Sequence, residues 1–416
     1  MISLDTTRAD RLGCYGYGEQ TSPSLDALAA VSVVYTRAVS TTSWTLPGHA
    51  TLLTGKLTSS HGARLDVDGP ISLADAIEGP FERYRARGLS PHERPLPLLL
   101  GEHGYATAGI VAGPWLKRVT GLDLGFDHYD DGGIDPTHGR LAPSVTGAAL
   151  DWLRSRPRDR PFFLFLNYFD PHGPYDPPAR FRGAPPRLTS DMPREQRIRT
   201  RARWLYDGEI RFMDFWVGKL LDGLRDLDLF DDTWIIVTAD HGEALWEDGI
   251  QGHGTALERA VLAIPFIVKY PGTGHAPERS DERVQLTDVL PTLLDALGLP
   301  IPDDIQGNAL GRLGHPVVAE VYPLPFMTNA DGDVQALIAD GHKLVRKDRG
   351  RLAVYDLARD PHERIDLAAR DPERAAAMAA SLDEYLASLP APLAQGAPRA
   401  MDSETQKALK SLGYVE

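Results

Sequence analysis

Short apolar runs of the β type alternate with segments of helical periodicity along most of the chain, and this alternation restricts the fold more than any other feature. The runs MISL, VVYTRAV, PFFLFLNYF and TWIIVTAD are typical of buried strands, and helical patterns such as SPSLDALAAV and LYDGEIRFMDFWVGKLLDGLRDLDLF lie between them. This order is typical of a parallel sheet covered by helices on both faces. We therefore expect an α/β fold with a large, mostly parallel sheet sandwiched by helices.

The pattern changes near residue 316. The segment VQALIADGHKLVRKDRGRLAVYDLARDP is typical of antiparallel strands joined by turns, and one amphipathic helix, PERAAAMAASLDEYLASL, follows it. We expect a catalytic domain at 1–315, a small α+β subdomain at 316–390 and a C-terminal tail at 391–416, whose apolar end LKSLGYVE docks on the protein.

Two polar stretches interrupt the alternating pattern of the main domain. Residues 64–94 and the arginine- and proline-rich residues 177–203 are predicted insertions. Each is interpreted either as a loop at the rim of a site or as solvated surface.

Composition excludes several function classes. The net charge of −14 argues against a broad nucleic-acid or anionic-membrane surface, and no apolar run is long enough for a membrane span. The single cysteine, Cys14, excludes an intrachain disulfide. Because MISLD resembles the second half of a buried strand, we expect the natural chain to begin upstream, where a targeting segment would lie. Cytoplasmic is the default location, and the oligomeric state is left open.

Polar residues follow three predicted strands at the edge where open α/β sheets bind ligands. Asp5 follows MISL, Asp170 and His172 follow PFFLFLNYF, and Asp240 and His241 end TWIIVTADH. Any one strand-end aspartate is equally well explained as a helix cap. Two carboxylates and an imidazole together suit a divalent metal, and oxygen and nitrogen ligands argue against a thiolate-binding ion. We expect one divalent ion, Mn or Zn in preference to Mg or Ca.

The segment TLPGHATLLTG begins at Thr45 and predicts a short helix from Pro47 to Thr54 that Gly55 ends. A helix start offers free N–H groups and a partial positive charge, which suit a phosphate or sulfate ester. From these residues alone, Thr45 is either a helix N-cap or an attacking hydroxyl.

The order and spacing of several segments carry a family resemblance. DTTRADRLGCYGY, TLPGHATLLTG, FDPHGPYDPP, VTADHGE and GHGTALERAVLAIPFIV follow one another along the chain. The chain resembles the sulfatase branch of the alkaline phosphatase superfamily over nearly its whole length, which implies that fold. The resemblance also implies functional roles for six residues. Asp5, Asp240 and His241 would bind the metal. Thr45 would be the nucleophile. His172 and His253 would face the ester oxygens as acid or charge stabiliser.

The chain departs from the family at the nucleophile. Sulfatases resemble one another in a Cys- or Ser-x-Pro-x-Arg motif whose first residue becomes formylglycine, and here those two positions are Thr45 and His49. Oxidising a secondary alcohol gives a ketone, so formylglycine cannot form. The chain therefore resembles the threonine-nucleophile members of the superfamily, which act on phosphorus.

Further departures concern the metal and the substrate clamp. Where the family has an Asp-Asp pair, this chain has Asp5-Thr6. The Gly-Lys-Trp-His clamp of sulfate is replaced by GPWL at 113–116, and the later lysine is replaced by His253. Two-metal relatives carry an Asp-x-x-x-His pair that the spacing of Asp170 and His172 does not match, so a second metal is possible but not favoured.

These residues predict a metal-dependent hydrolase acting on a small anionic ester. An ester formed on Thr45 cannot release its sulfate or phosphate by collapsing to an aldehyde. Water must therefore attack the sulfur or phosphorus atom, as it does when phosphoryl-enzyme intermediates are hydrolysed. We expect a phosphoester or phosphodiester substrate. The alternatives are a sulfatase without formylglycine and a non-catalytic, degenerate binding protein.

Overall fold

The computed structural model describes residues 1–394 apart from 78–80, 273–274, 313, 329, 331 and 348–349. The helices are α1 (Pro23–Ala29), α2 (Thr45–Thr54), α3 (Thr58–His61), α4 (Leu96–Glu102), α5 (Ala142–Ser155), α6 (Arg194–Asp226), α7 (Arg259–Leu262), α8 (Val289–Ala296) and α9 (Pro372–Ser388). The strands are β1 (Ile2–Leu4), β2 (Val33–Val39), β3 (Arg64–Leu65), β4 (Ile71–Ser72), β5 (Arg85–Arg87), β6 (Ala106–Ile110), β7 (His128–Asp130), β8 (Phe162–Tyr168), β9 (Ile235–Thr238), β10 (Ala244–Leu245), β11 (Gln251–Gly252), β12 (Phe266–Lys269), β13 (Glu278–Gln285), β14 (Val317–Val321), β15 (Val334–Ala339), β16 (His342–Lys347) and β17 (Arg351–Asp356).

A central sheet of eight strands organises the described residues, in the order β13-β2-β12-β9-β1-β8-β6-β7. Only β12 in this sheet runs antiparallel to its neighbours, β2 and β9. The short strand β1 lies in the middle, where Ile2 pairs in parallel register with both Leu166 of β8 and Val237 of β9. The predicted large, mostly parallel sheet is confirmed.

Helices cover both faces of this sheet, as the strand sequences require. Along β8, Phe163 and Phe165 enter one buried cluster and Leu164 and Leu166 enter another, because successive side chains of a strand point to opposite faces. The first cluster includes residues of α2, α4 and α8, and the second includes residues of α1, α5 and α6. Because both faces are buried, the strand β8 is apolar through most of its length, whereas the edge strand β13 is mostly polar.

Three neighbouring strands, β9, β1 and β8, end at the same edge of the sheet. Asp5 directly follows β1, Asp170 comes two residues after β8, and Asp240 comes two residues after β9. The topology therefore brings the predicted polar strand ends together.

A separate antiparallel sheet, β14-β15-β16-β17, and the helix α9 form the C-terminal part. Leu344 and Val354 of this sheet share a buried cluster with Ala375 and Leu382 of α9. The small α+β subdomain is confirmed, whereas its predicted boundary at 316 stays a prediction. The expected docking of LKSLGYVE lies outside the described residues.

The two predicted insertions differ in structure. Residues 64–94 include a small antiparallel sheet, in the order β3-β5-β4. Residues 177–203 are not wholly loop, because α6 begins at Arg194, eleven residues before the helical pattern that starts at Leu205. The added turns carry arginines instead of an apolar stripe, so periodicity did not reveal them. None of the helices described is both long and apolar enough to cross a bilayer.

Candidate active site

Thr45 lies at the first position of α2, with Trp44 at the N-cap position, and no side chain caps this helix. The side chain of Thr45 is buried, and its Oγ1 lies 3.4 Å from Nε2 of His241. Gly55 ends the helix in the left-handed conformation, as predicted. The N-cap interpretation of Thr45 is therefore wrong, because its hydroxyl faces a histidine from another strand end.

Asp5, Asp240 and His241 form a buried group in which one ligand atom from each lies within 4.8 Å of the others. Oδ1 of Asp5 and Oδ2 of Asp240 are buried without a hydrogen-bond partner. Buried carboxylate oxygens are costly unless a cation or a donor compensates them. The donor set and its two free oxygens therefore fit a divalent metal ion.

The other carboxylate oxygens are held in place. Oδ2 of Asp5 accepts from the Asn167 amide at 3.4 Å, and Oδ1 of Asp240 accepts from the backbone N–H groups of Thr6 at 3.3 Å and His241 at 2.9 Å. One oxygen of each carboxylate is thus fixed by the protein, which directs the other toward the shared centre.

Electrostatics at this centre favour a bound cation. Burial, and then the neighbouring Asp240 carboxylate, raise the pKa of Asp5 well above its usual range, and burial raises the pKa of Asp240 to about 6. Burial lowers the pKa of His241 to about 3. No lysine or arginine of the described chain forms an ion pair or a hydrogen bond with Asp5, Thr45 or Asp240. A bound positive ion would favour the ionised form of both carboxylates and so oppose the effect of burial and of their mutual repulsion.

Backbone carbonyls fix the tautomers of two site histidines. Nδ1 of His241 donates to Gly242 O at 2.9 Å, and Nδ1 of His172 donates to Gly173 O at 2.7 Å. Since a carbonyl only accepts, the proton of each neutral ring is on Nδ1, and Nε2 is left with a free lone pair. Nε2 of His241 is then available as a metal ligand.

His253 lies between the other two site histidines. Its ring centroid is 4.5 Å from that of His241 and 5.0 Å from that of His172. Its Nδ1 lies 3.2 Å from Oε1 of Glu243. Burial lowers the pKa of His253 to about 4 and that of His172 to about 3. The structure thus brings all six predicted residues into one group, in which His172 and His253 are half-buried and the other four are buried. Their roles remain predictions.

Two polar residues in this group were missed from the sequence. Asn167 accepts from the N–H groups of Ala112 and Gly113 at 3.1 and 3.0 Å while its amide donates to Asp5. Glu243 is buried and contacts His253. The available signals were an asparagine inside the apolar run FFLFLNYF and an acid two residues after His241.

His49 contacts the backbone of Thr45 from one helical turn away. Its Nδ1 donates to Thr45 O at 2.8 Å, its Nε2 accepts from Ser3 Oγ at 2.8 Å, and the ring lies 3.6 Å from Oδ2 of Asp240. Gly48 beside it allows α2 to approach, because a Cβ there would lie 3.1 Å from Cβ of Asp240. These contacts indicate that His49 orients the first turn of α2 and does not only pack in the core.

Thr6 stands where the resemblance places a second carboxylate, and its backbone is strained. Its φ is 53°, a left-handed value that a β-branched residue rarely adopts and that costs about 1–3 kcal/mol. This conformation directs its N–H to Asp240, and its carbonyl accepts from the Tyr206 hydroxyl at 2.7 Å. Thr6 therefore orients a carboxylate through its backbone.

Asp170, the third strand-end acid, is not part of the metal group. Its Oδ1 accepts from the N–H of Ala142, the first residue of α5, at 3.0 Å, and its Oδ2 is buried without a partner. Here the helix-cap interpretation holds. A pairing of Asp170 with His172 at a second metal finds no support among the described residues.

Comparisons with known proteins agree with this fold. Residues 1–299 match the family described as Sulfatase, and residues 256–391 match the family described as N-sulphoglucosamine sulphohydrolase, C-terminal. An arylsulfatase of Clostridium perfringens is 24% identical, with 88% of this chain and 89% of the relative aligned. The human N-acetylgalactosamine-6-sulfatase is 25% identical, with 82% of this chain and 70% of the human protein aligned. The crystal structure of a phosphonate monoester hydrolase of Agrobacterium radiobacter is similar at a TM-score of 0.70 and 20% identity, covering 93% of this chain and 94% of that one.

We predict that Asp170→Asn stabilises the protein at alkaline pH. Burial raises the pKa of Asp170 from 3.8 to about 7, so the folded state binds this proton more tightly than the unfolded state, and its stability falls as pH rises between those values. At pH 8 the substitution should raise the free energy of unfolding by up to about 4 kcal/mol, with little change at pH 4.

Urea unfolding at the two pH values measures this effect. Asp151→Asn, an exposed carboxylate on α5, is the matched control and should show no such pH dependence. An Asp170→Asn protein that is no more stable than the parent at pH 8 would contradict the prediction.

Proposed function

Because the chain belongs to the sulfatase family of hydrolases, we propose that it cleaves a phosphoester or phosphodiester with unmodified Thr45 as the nucleophile. The observation that carries this proposal is the position of the Thr45 hydroxyl, at a helix start, 3.4 Å from His241 and beside two partnerless carboxylate oxygens. A threonine hydroxyl is a weak nucleophile unless its surroundings stabilise the alkoxide.

We infer that Asp5, Asp240 and His241 hold one divalent ion, Mn or Zn in preference to Mg or Ca. This preference rests on the mixed oxygen and nitrogen donors and on a group of only three protein ligands among the residues described. When bound, such an ion would stabilise the negative charge of the Thr45 alkoxide and of the ester oxygens.

The reaction is a double displacement at phosphorus. The Thr45 hydroxyl gives up its proton to solvent, and its Oγ forms a bond to phosphorus as the bond to the leaving oxygen breaks and that oxygen takes a proton from a histidine. Water then attacks phosphorus and gives a proton back to the histidine, the bond from phosphorus to Oγ breaks, and Oγ takes up a proton from solvent. The free N–H groups at the start of α2 face the charge that develops in both steps.

His253 is better suited than His172 to donate the proton. Nδ1 of His253 faces the carboxylate of Glu243 at 3.2 Å, whereas Nδ1 of His172 donates to the neutral carbonyl of Gly173. Burial lowers the pKa of His253 to about 4, so the ring is mostly neutral near pH 7. The Glu243 carboxylate stabilises the imidazolium once it forms, so His253 can carry a proton to the leaving oxygen and accept one from water. His172 is assigned to the ester oxygens as a charge stabiliser.

A sulfate ester is the second candidate, favoured by the sulfatases among the relatives. Against it, Thr45 cannot become formylglycine, and water would have to attack sulfur to release the enzyme. A non-catalytic binding protein is the third candidate. It gives no reason for a nucleophile, two carboxylates and a histidine to converge in one buried group.

A substrate panel tests the proposal. Bis-nitrophenyl phosphate, nitrophenyl phosphate, a phenylphosphonate monoester and nitrophenyl sulfate should be compared with the purified protein. We expect hydrolysis at phosphorus to exceed hydrolysis of the sulfate, to be lost with a chelator and to return with Mn²⁺ or Zn²⁺.

The Asp240→Asn protein should not regain activity when metal is added, whereas the exposed control Asp151→Asn should behave as the parent. Turnover of the sulfate alone, or full activity in excess chelator, argues against the proposed function.

Replacement of Thr45 tests the nucleophile. Thr45→Ala should lower kcat by about 1,000-fold or more while metal content and fold are retained, and Thr45→Ser should keep appreciable activity because its primary hydroxyl occupies the same place. Thr51→Ala, a buried threonine on the same helix that contacts His61, is the control and should leave kcat near the parent value. A Thr45→Ala protein as fast as the parent would show that Thr45 has only a structural role.

A further inference from the structure

The segment 177–203 takes no part in the proposed chemistry, yet its charge differs from that of the rest of the chain. It contains eight arginines, no lysine and two acidic residues, whereas the whole chain carries a net charge of −14. Its second half is the beginning of α6. A concentrated positive charge on an acidic protein attracts anionic partners to one place.

The first three turns of α6 contain no fully buried residue. This helix has 33 residues, and the first buried residue in it is Tyr206, twelve positions after its start. At 1.5 Å per residue this part is about 18 Å long, and its residues are exposed or half-buried. Neither core packing nor the proposed site explains why it carries so many arginines.

Only some of these arginines are neutralised. Arg182, Arg199 and Arg203 form ion pairs with Asp176, Glu195 and Glu247. In the part of the chain that the structure describes, Arg194, Arg197 and Arg201 form no hydrogen bond or ion pair through their side chains. The spacing of three and four residues puts these three on the same face of α6, where they repel one another.

Apolar side chains are interleaved with this charge. Ile198 lies on the same face, one turn after Arg194, and is 44% exposed. Phe215 lies on this face after five further turns and is 37% exposed, and the guanidinium of Arg180 lies 5.3 Å from its ring. We call this surface the basic face: Arg180, Arg194, Arg197, Ile198, Arg201 and Phe215.

We propose that the basic face binds an anionic lipid surface. Arginines near such a surface are attracted to the headgroups, and exposed Ile and Phe side chains enter the boundary between headgroups and acyl chains. A soluble polyanion would use the arginines but not the exposed apolar surface of Ile198 and Phe215. The rest of the chain is acidic overall and is repelled by such a surface, which favours a contact through the basic face.

The basic face is mechanically connected to the candidate site. On α6, the hydroxyl of Tyr206 donates to Thr6 O at 2.7 Å and accepts from Arg8 N at 3.0 Å. Through Tyr206, a membrane contact on α6 would therefore be linked by hydrogen bonds to the loop that follows Asp5. The proposal itself concerns binding only, so it stands or falls independently of the reaction.

Co-sedimentation of the full chain with vesicles tests this inference. We expect binding to phosphatidylcholine vesicles that contain phosphatidylglycerol, weak binding to phosphatidylcholine alone, and a loss of binding as salt is raised. The triple variant R194Q/R197Q/R201Q should bind about 100-fold more weakly, at about fivefold per arginine. Ile198→Ser should weaken binding several-fold while leaving the charge unchanged.

The matched control is R154Q/R225Q/R312Q, in which three exposed arginines paired with aspartates are replaced. It loses the same net charge and should bind like the parent. Equal binding of the control and the triple variant, equal binding to both vesicle types, or binding of polyphosphate without vesicle binding would each overturn the proposal. If the triple variant does not fold, as judged by circular dichroism, Ile198→Ser and the vesicle comparison decide the question.

Discussion

The burial of two like-charged carboxylates at neighbouring strand ends is the constraint on which the rest of the site depends. Asp5 and Asp240 follow β1 and β9, which are adjacent in the sheet, and each has one oxygen without a partner. Their repulsion and desolvation are unfavourable in the absence of a cation. The sheet topology, the strained Thr6 and the close approach of α2 at Gly48 all serve to hold this pair in place.

Two histidine rings, His49 and His253, lie near the candidate site, and burial lowers the pKa of both. Neither ring supplies a permanent positive charge, so the proposed chemistry would depend on a bound cation and on the helix start. His253 differs from His172 and His241 because its Nδ1 faces a carboxylate, that of Glu243, instead of a backbone carbonyl.

The sequence was informative where a pattern is local and less so where a contact is distant. Strand ends, the α2 helix and the antiparallel C-terminal sheet follow from periodicity and turn residues, and the parallel order of strands then brings Asp5, Asp240 and His241 together. The pairing of Glu243 with His253 and the role of Asn167 depend on side-chain directions, which spacing alone does not fix. The first turns of α6 were missed because they extend from a packed helix without an apolar stripe of their own.

The stereochemical course at phosphorus tests the central claim, a covalent ester on Thr45, most directly. A nitrophenyl phosphorothioate diester of one configuration should be hydrolysed in oxygen-18-labelled water and the configuration of the product determined. Two successive in-line displacements, first by Thr45 and then by water, predict net retention. Net inversion would mean that water attacks the substrate directly, and it would contradict the role of Thr45 as the nucleophile.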